Sequence, residues 1–218
     1  MLDVRHRHQV QWCKPRTMIT PFISNRVRLA CHPDTDAYAI EGIEADVSWI
    51  RTQTLAFTYI LKGDFTRLRI PPPQAARRAD RLWEHTCFEA FVSVTGGPEY
   101  SEFNFAPSGE WAVYGFRHYR DRTPLEDDML APKITVHNVI GGLDLSAIVG
   151  LDRLPAIPPR ARLRLALSAV VEKKDGLLSY WALKHPAGRP DFHHPDAFVL
   201  ELEPPGVDIA NESVLEKR

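Results

Sequence analysis

Apolar and polar residues alternate with a period of two along most of this chain. Ile43, Ala45, Val47 and Trp49 interleave with Glu44, Asp46 and Ser48, and Leu55, Phe57, Tyr59 and Leu61 then share one parity. Phe88, Ala90, Val92 and Val94 repeat the pattern, Leu163 to Val171 carries it furthest, and Phe198, Leu200 and Leu202 end it. Side chains two residues apart lie on one face of an extended strand, so each series predicts a strand with its apolar parity turned to a core. Turn-forming stretches separate the runs: KGD at 62–64, TGGP at 95–98, PSGE at 107–110, GG at 141–142 and KKDG at 173–176. Two hairpins follow, 163–172 with 177–183 and 99–106 with 110–117, the second turning through APSG, where Gly109 can take a positive φ. The expectation is an all-β fold, a single antiparallel β-sandwich of roughly ten to twelve strands. Helix is expected only in short pieces, at 144–151 with Asp144 as N-cap and in a turn near 74–79.

Composition narrows this picture without changing it. Eighteen prolines in 218 residues leave little room for long helices. The Pro-rich stretches at 70–74 and 154–159 are too short for domain linkers, so one domain is expected over 18–205. Residues 1–17 are basic without an apolar period and read as a disordered tail or an overcalled start before Met18. Residues 206–218 read as a C-terminal tail. A net charge of −1 provides no electrostatic footprint for nucleic acid or an anionic membrane surface, and no apolar run has the length of a membrane span. Cys13, Cys31 and Cys87 are odd in number and widely spaced, as expected of reduced thiols in a cytoplasmic protein. Nothing in the pattern fixes an oligomeric state.

The candidate chemistry lies on the second parity of the strands. In 87–94 the residues opposite the core series are Cys87, Glu89, Phe91 and Ser93, so both faces are largely apolar and the Glu89 carboxylate is expected to be buried. The next strand puts Tyr100, Glu102 and Asn104 on one face, and the following one offers Tyr114, Phe116 and His118. Farther on come Tyr180 or Trp181, then His185 and a loop with Arg189, Asp191, Phe192, His193 and His194. Aromatic faces pack on the C–H faces of a pyranose and carboxylates or amides take its hydroxyls, so this mixture fits a sugar site. Arg77, Arg78 and Arg81, just before Trp83, could present guanidinium groups to an anionic sugar.

The stretches DRLWEHTCFEAFVSV, YSEFNFAPSGEWAVYGFRHYR and GLLSYWALKHPAGRPDFHHPDAFVLEL resemble the bacterial DOMON-like proteins, which are similar to the family nine carbohydrate-binding modules; the resemblance spans roughly 18–203. It implies a β-sandwich with a ligand site on a concave sheet. In the family nine modules an LW…E motif supplies a stacking tryptophan and a hydroxyl-accepting glutamate, and the matching positions are Trp83 and Glu89. The acidic pair that usually follows the tryptophan is replaced by Glu84-His85-Thr86. Trp181, Phe192 and Trp111 are candidates for a second aromatic wall, and Trp181 is taken as that wall. The expected ligand-binding set is Trp83, Glu89, Tyr100, Glu102, Asn104, Trp181 and His185, with a sugar or sugar derivative as partner and no catalytic residues.

Three other chemistries fit parts of the sequence. Glu89 and Glu102 on neighbouring strands could serve as acid and base in a sugar- or cell-wall-precursor-processing enzyme. DOMON relatives include haem domains with axial Met and His, for which Met18 and Met129 are the available methionines, but there is no CxxCH and no cofactor is expected. Asp191, His193 and His194 are metal-ligand types, but adjacent histidines on an extended segment point opposite ways, so no metal site is expected.

Overall fold

The computed structural model describes residues 26–125 and 127–205. The tails expected at 1–17 and 206–218, and residues 18–25 with Met18, lie outside the described residues. Twelve strands are described, all antiparallel to their ladder neighbours: β1 (Val27–Cys31), β2 (Ile40–Arg51), β3 (Thr54–Gly63), β4 (Cys87–Val94), β5 (Tyr100–Phe105), β6 (Trp111–His118), β7 (Asp121–Thr123), β8 (Lys133–Val139), β9 (Gly142–Gly150), β10 (Leu163–Glu172), β11 (Leu178–Ala182) and β12 (Leu200–Leu202). The strand path runs β7-β6-β5-β4-β10-β11-β1-β2-β3-β9-β8, with β12 on β10. It folds into two layers because β1 belongs to both: Leu29 pairs with Ile43 of β2, and the next residue, Ala30, pairs with Ala182 of β11.

The core is the apolar parity that alternation predicts. Ile43, Val47, Leu55, Phe57, Tyr59 and Leu61 from one layer meet Phe88, Ala90, Val92, Phe103, Phe105, Leu163, Leu165 and Leu167 from the other, all fully buried. Tyr59 stacks on Phe88 with centroids 5.0 Å apart. Its hydroxyl donates to the Glu89 carbonyl oxygen at 2.7 Å, which ties the middle of β4 to the opposite layer. The predicted hairpins form as β5–β6 and β10–β11, and Gly109 takes φ 91° in the first of them.

Neither of the two predicted short helices is formed. Residues 142–150 make β9, with Leu143, Leu145, Ala147 and Val149 in the core and Asp144, Ser146 and Ile148 turned outward. Pairing along nine residues of β3 outweighs the local capping signal at Asp144. Residues 74–79 are an extended strap along the start of β6: the Ala79 N–H donates to the Trp111 carbonyl and the Trp111 N–H to the Arg77 carbonyl. The helical pieces present among the described residues are three 3₁₀ turns, at Leu82–Glu84, Asp128–Leu130 and Pro195–Ala197. Met129, in the second, is exposed.

The second layer is covered on both sides. Its far face packs beneath Ala79 and Leu82 from the strap and Phe192, Ala197 and Phe198 from the segment before β12, which is why every residue of β4 except Val94 is buried.

Candidate functional site

Between those two covering segments the far face of the second layer stays open to a cavity of about 360 Å³. Its floor is strand: Glu89 of β4, Glu102 of β5, Tyr114 and Phe116 of β6, Val170 of β10 and Tyr180 of β11. Register brings these together, since Glu89 pairs with Asn104 and Ser168, Glu102 with Tyr114, and Val170 with Tyr180. One wall is Trp83, another is Pro190, Phe192 and His193, and a third is Arg120 and Arg122 from the β6–β7 hairpin.

Trp83 is held at the rim by its neighbours. Arg81, at φ 61°, turns the chain sharply into the Leu82–Glu84 turn, and Leu82 anchors that turn in the apolar cover. Downstream, His85 Nδ1 lies 2.8 Å from Glu172 of β10, and the Thr86 hydroxyl donates to the Arg69 carbonyl and accepts the Glu172 N–H. The indole stands edge-on to Tyr114 at 5.7 Å and keeps 37% of its surface exposed.

Glu89 is 3% exposed, and its Oε1 has no hydrogen-bond partner among the described residues; neither has the hydroxyl of Ser168, its cross-strand neighbour. Burial raises the Glu89 carboxyl well above the usual carboxylate range, the charge of Glu102 adds to the rise, and the facing Ser168 hydroxyl opposes it. Burial also raises Glu102, to about 7, against the pull of an Asn104 hydrogen bond and of Arg122 and Arg120. The Asn104 side chain donates to Glu102 Oε1 at 2.6 Å while its own oxygen accepts from Cys87 Sγ at 3.4 Å. His193 Nε2 faces Glu102 Oε2 at 3.6 Å, and burial with the nearby Arg120 charge lowers this imidazole to about 4, so it is neutral at pH 7. The loop that carries it is pinned by Asp191, which accepts from Arg120 and Tyr119 at 2.8 and 2.7 Å.

The residues expected from sequence divide into three groups. Trp83, Glu89 and Glu102 share the cavity. Tyr100 and Asn104 stand behind it. The Tyr100 hydroxyl is engaged by the Arg120 N–H at 3.0 Å and His193 Nδ1 at 2.9 Å, and Asn104 is fully buried as the support of Glu102. Trp181 and His185 are not on the cavity. Trp181 has the core parity of β11 and donates to Ser179 at 3.1 Å, and its neighbour Tyr180 takes the floor position because Tyr180 is the residue that pairs with Val170. Trp111 is likewise in the core. His185 Nε2 is bonded to the Ala30 carbonyl at 2.9 Å, with the ring behind Phe192 at 6.3 Å. The arginines before Trp83 are also elsewhere: Arg77 pairs with Glu110, Arg78 donates to the Val113 and Leu125 carbonyls, and Arg81 pairs with Glu84.

Tyr114, Phe116, Tyr180, Arg120 and Arg122 were not among the expected site residues. The first three carry a signal in the sequence, since they share the parity of Glu89 and Glu102 once hairpin register is drawn. The arginines carry none, because a two-residue bend at 119–120 decides where they point.

No protein-family model and no curated protein matches this chain. Among solved structures, that of a candidate carbohydrate-binding protein from Bacteroides uniformis superposes with a TM-score of 0.57 at 15% identity, over 80% of this chain and 84% of that one. A family 9 carbohydrate-binding module from Caldicellulosiruptor kristjanssonii in complex with glucose gives a TM-score of 0.46 at 10% identity, over 76% of this chain and 77% of that one. Its complex with cellotriose gives a TM-score of 0.46 at 10% identity, over 76% and 75%. The first of these likenesses shows a shared fold, the antiparallel all-β sandwich.

Proposed function

We propose that this protein binds a small polar ligand, a carbohydrate or sugar derivative, in the cavity over β4, β5 and β6. One observation carries the reading: Glu89, buried in the middle of a sheet, has an oxygen without a partner and borders a cavity whose rim is a half-open tryptophan. A buried unsatisfied carboxyl costs about 1–3 kcal/mol or more, and a ligand hydroxyl would remove that cost. Trp83, Phe192 and Tyr180 supply apolar surface for the C–H faces of a ring. The Bacteroides uniformis neighbour, described as a candidate carbohydrate-binding protein, is consistent with this reading. Titration calorimetry against neutral and acidic mono- and disaccharides tests it: binding by at least one, lost in Trp83→Ala and kept in Trp181→Phe, supports the assignment. No heat from any of them ends it.

A second reading has its own observation. Glu89 and Glu102 face one cavity with both carboxyls raised by burial, Glu102 to about 7, a range useful to a general acid or base acting on a sugar. Glu102→Gln separates the two. An acid–base enzyme keeps its affinity and loses turnover, whereas a pure binder shows no turnover in the wild type and binds more weakly in the variant.

A further inference from the structure

The cavity of the sugar reading is unbalanced in its hydrogen-bonding groups. Asn104 already occupies Oε1 of Glu102, leaving Oε2, which His193 Nε2 faces at 3.6 Å, as the acceptor this carboxyl can offer. Against it stand the guanidinium groups of Arg120 and Arg122 and the Glu89 carboxyl, whose ionisation burial and the Glu102 charge disfavour. Arg120 is committed to Asp191. Arg122 is not committed in the same way. It lies over the Tyr114 ring at 4.0 Å from the centroid, and its only ion-pair partner among the described residues is Asp80 at 3.9 Å. That Asp80 oxygen already accepts the Tyr114 hydroxyl at 2.8 Å. The stacking orients the plane of the guanidinium, which makes no hydrogen bond to any other described residue, a geometry suited to the paired oxygens of a carboxylate or phosphate. A neutral sugar would leave those edges to water.

We propose that the ligand is an acidic sugar, bearing a carboxylate or a phosphate ester, whose oxyanion is received by Arg122 while a ring hydroxyl meets the Glu89 carboxyl at the cavity floor. The proposal rests on the sugar reading and narrows it. It makes Arg122 a specificity residue and Trp83 and Glu89 the general sugar contacts. Rim electrostatics of this kind are screened by salt, so the preference for acids over neutral sugars shrinks as ionic strength rises.

The test is calorimetry at low salt with glucose, glucuronate, glucose 6-phosphate and inorganic phosphate. The wild type is compared with Arg122→Gln, Arg122→Lys and Arg117→Gln, an exposed arginine outside the cavity paired with Asp121. Expected is an affinity for at least one acidic sugar about tenfold or more above that for glucose, corresponding to about 1.4 kcal/mol. Arg122→Gln abolishes the difference, Arg122→Lys keeps part of it, and Arg117→Gln leaves it unchanged. Whichever of glucuronate and glucose 6-phosphate is preferred identifies the oxyanion. Glucose bound as tightly as the acids overturns the proposal and leaves the sugar reading standing. An acid preference that survives Arg122→Gln overturns the role of Arg122, and inorganic phosphate bound as tightly as glucose 6-phosphate overturns the sugar part. Silence from all four probes overturns the acidic-sugar proposal, and the sugar reading then stands or falls on the wider panel of mono- and disaccharides.

Discussion

Glu89 and Trp83 lie six residues apart in the chain and in very different surroundings. The first is sealed in the sheet with an oxygen unpartnered, and the second keeps over a third of its surface in solvent. Their substitutions therefore separate binding from stability. Trp83→Ala is expected to lower sugar affinity about tenfold or more with little change in unfolding free energy, because the exposed side chain contributes little to the core. Trp181→Ala is expected to do the opposite, costing about 3–5 kcal/mol of stability by opening the core while any affinity that remains measurable is unchanged. Paired chemical denaturation and calorimetry on the two variants would check this; an affinity loss in Trp181→Ala without destabilisation would place the second wall on the wrong residue. Glu89→Gln preserves a neutral donor–acceptor of the same shape and is expected to hold affinity within a few-fold, whereas Glu89→Leu loses tenfold or more. A large loss in Glu89→Gln would mean that the ionised carboxylate is what the ligand meets.

Element by element, what could be read from sequence depended on whether one strand or two decided the outcome. Alternation inside a run is local, so β2, β3, β4 and β10 were visible with the right faces. Choosing between Tyr180 and Trp181 needed the partner strand, because both are aromatic and only pairing with Val170 assigns one of them to the cavity. The 144–151 segment misled for a related reason: Asp144 is a good cap, but its period-two leucines had a long partner in β3. Arg120 and Arg122 were invisible because β7 is three residues long and reaches the site only through a bend. That hairpin is also held by close packing. A Cβ at Gly115 of β6 would lie 2.6 Å from Thr123 Oγ1, and a β-branched side chain is stiff at χ1. Gly115→Ala is therefore expected to displace β7, cost about 1–3 kcal/mol and raise amide exchange at 121–123. Exchange there equal to that of the wild type would show that the hairpin absorbs the methyl group without moving Arg122.

At the scale of the whole molecule, the fold presents to one cavity a carboxyl pair and an imidazole whose charged forms burial disfavours, and global stability must register their protons. Glu102 titrates at about 7 in the folded chain against the ordinary 4.5, so folding takes up a proton between those values and stability falls as pH rises through the window. Glu89, raised well above the usual carboxylate range by burial, contributes in the same direction. His193 acts in the opposite sense. At about 4 against the ordinary 6.5, it is protonated in the unfolded chain and neutral in the folded one across that interval, so its contribution to stability rises with pH there. Where the windows overlap, two carboxyls outweigh one imidazole. The double variant Glu89→Gln, Glu102→Gln removes the falling component and leaves that of His193. Urea unfolding at pH 5, 6.5 and 8 is expected to show the double variant gaining steadily on the wild type as pH rises, by on the order of 3 kcal/mol between the extremes. Adding His193→Gln should then flatten the remaining rise between pH 4 and 6.5. A difference between double variant and wild type that stays constant with pH would mean that both carboxyls are ionised in the folded chain. The cavity would then be an acceptor site, and the case for an acidic sugar would lose its electrostatic basis.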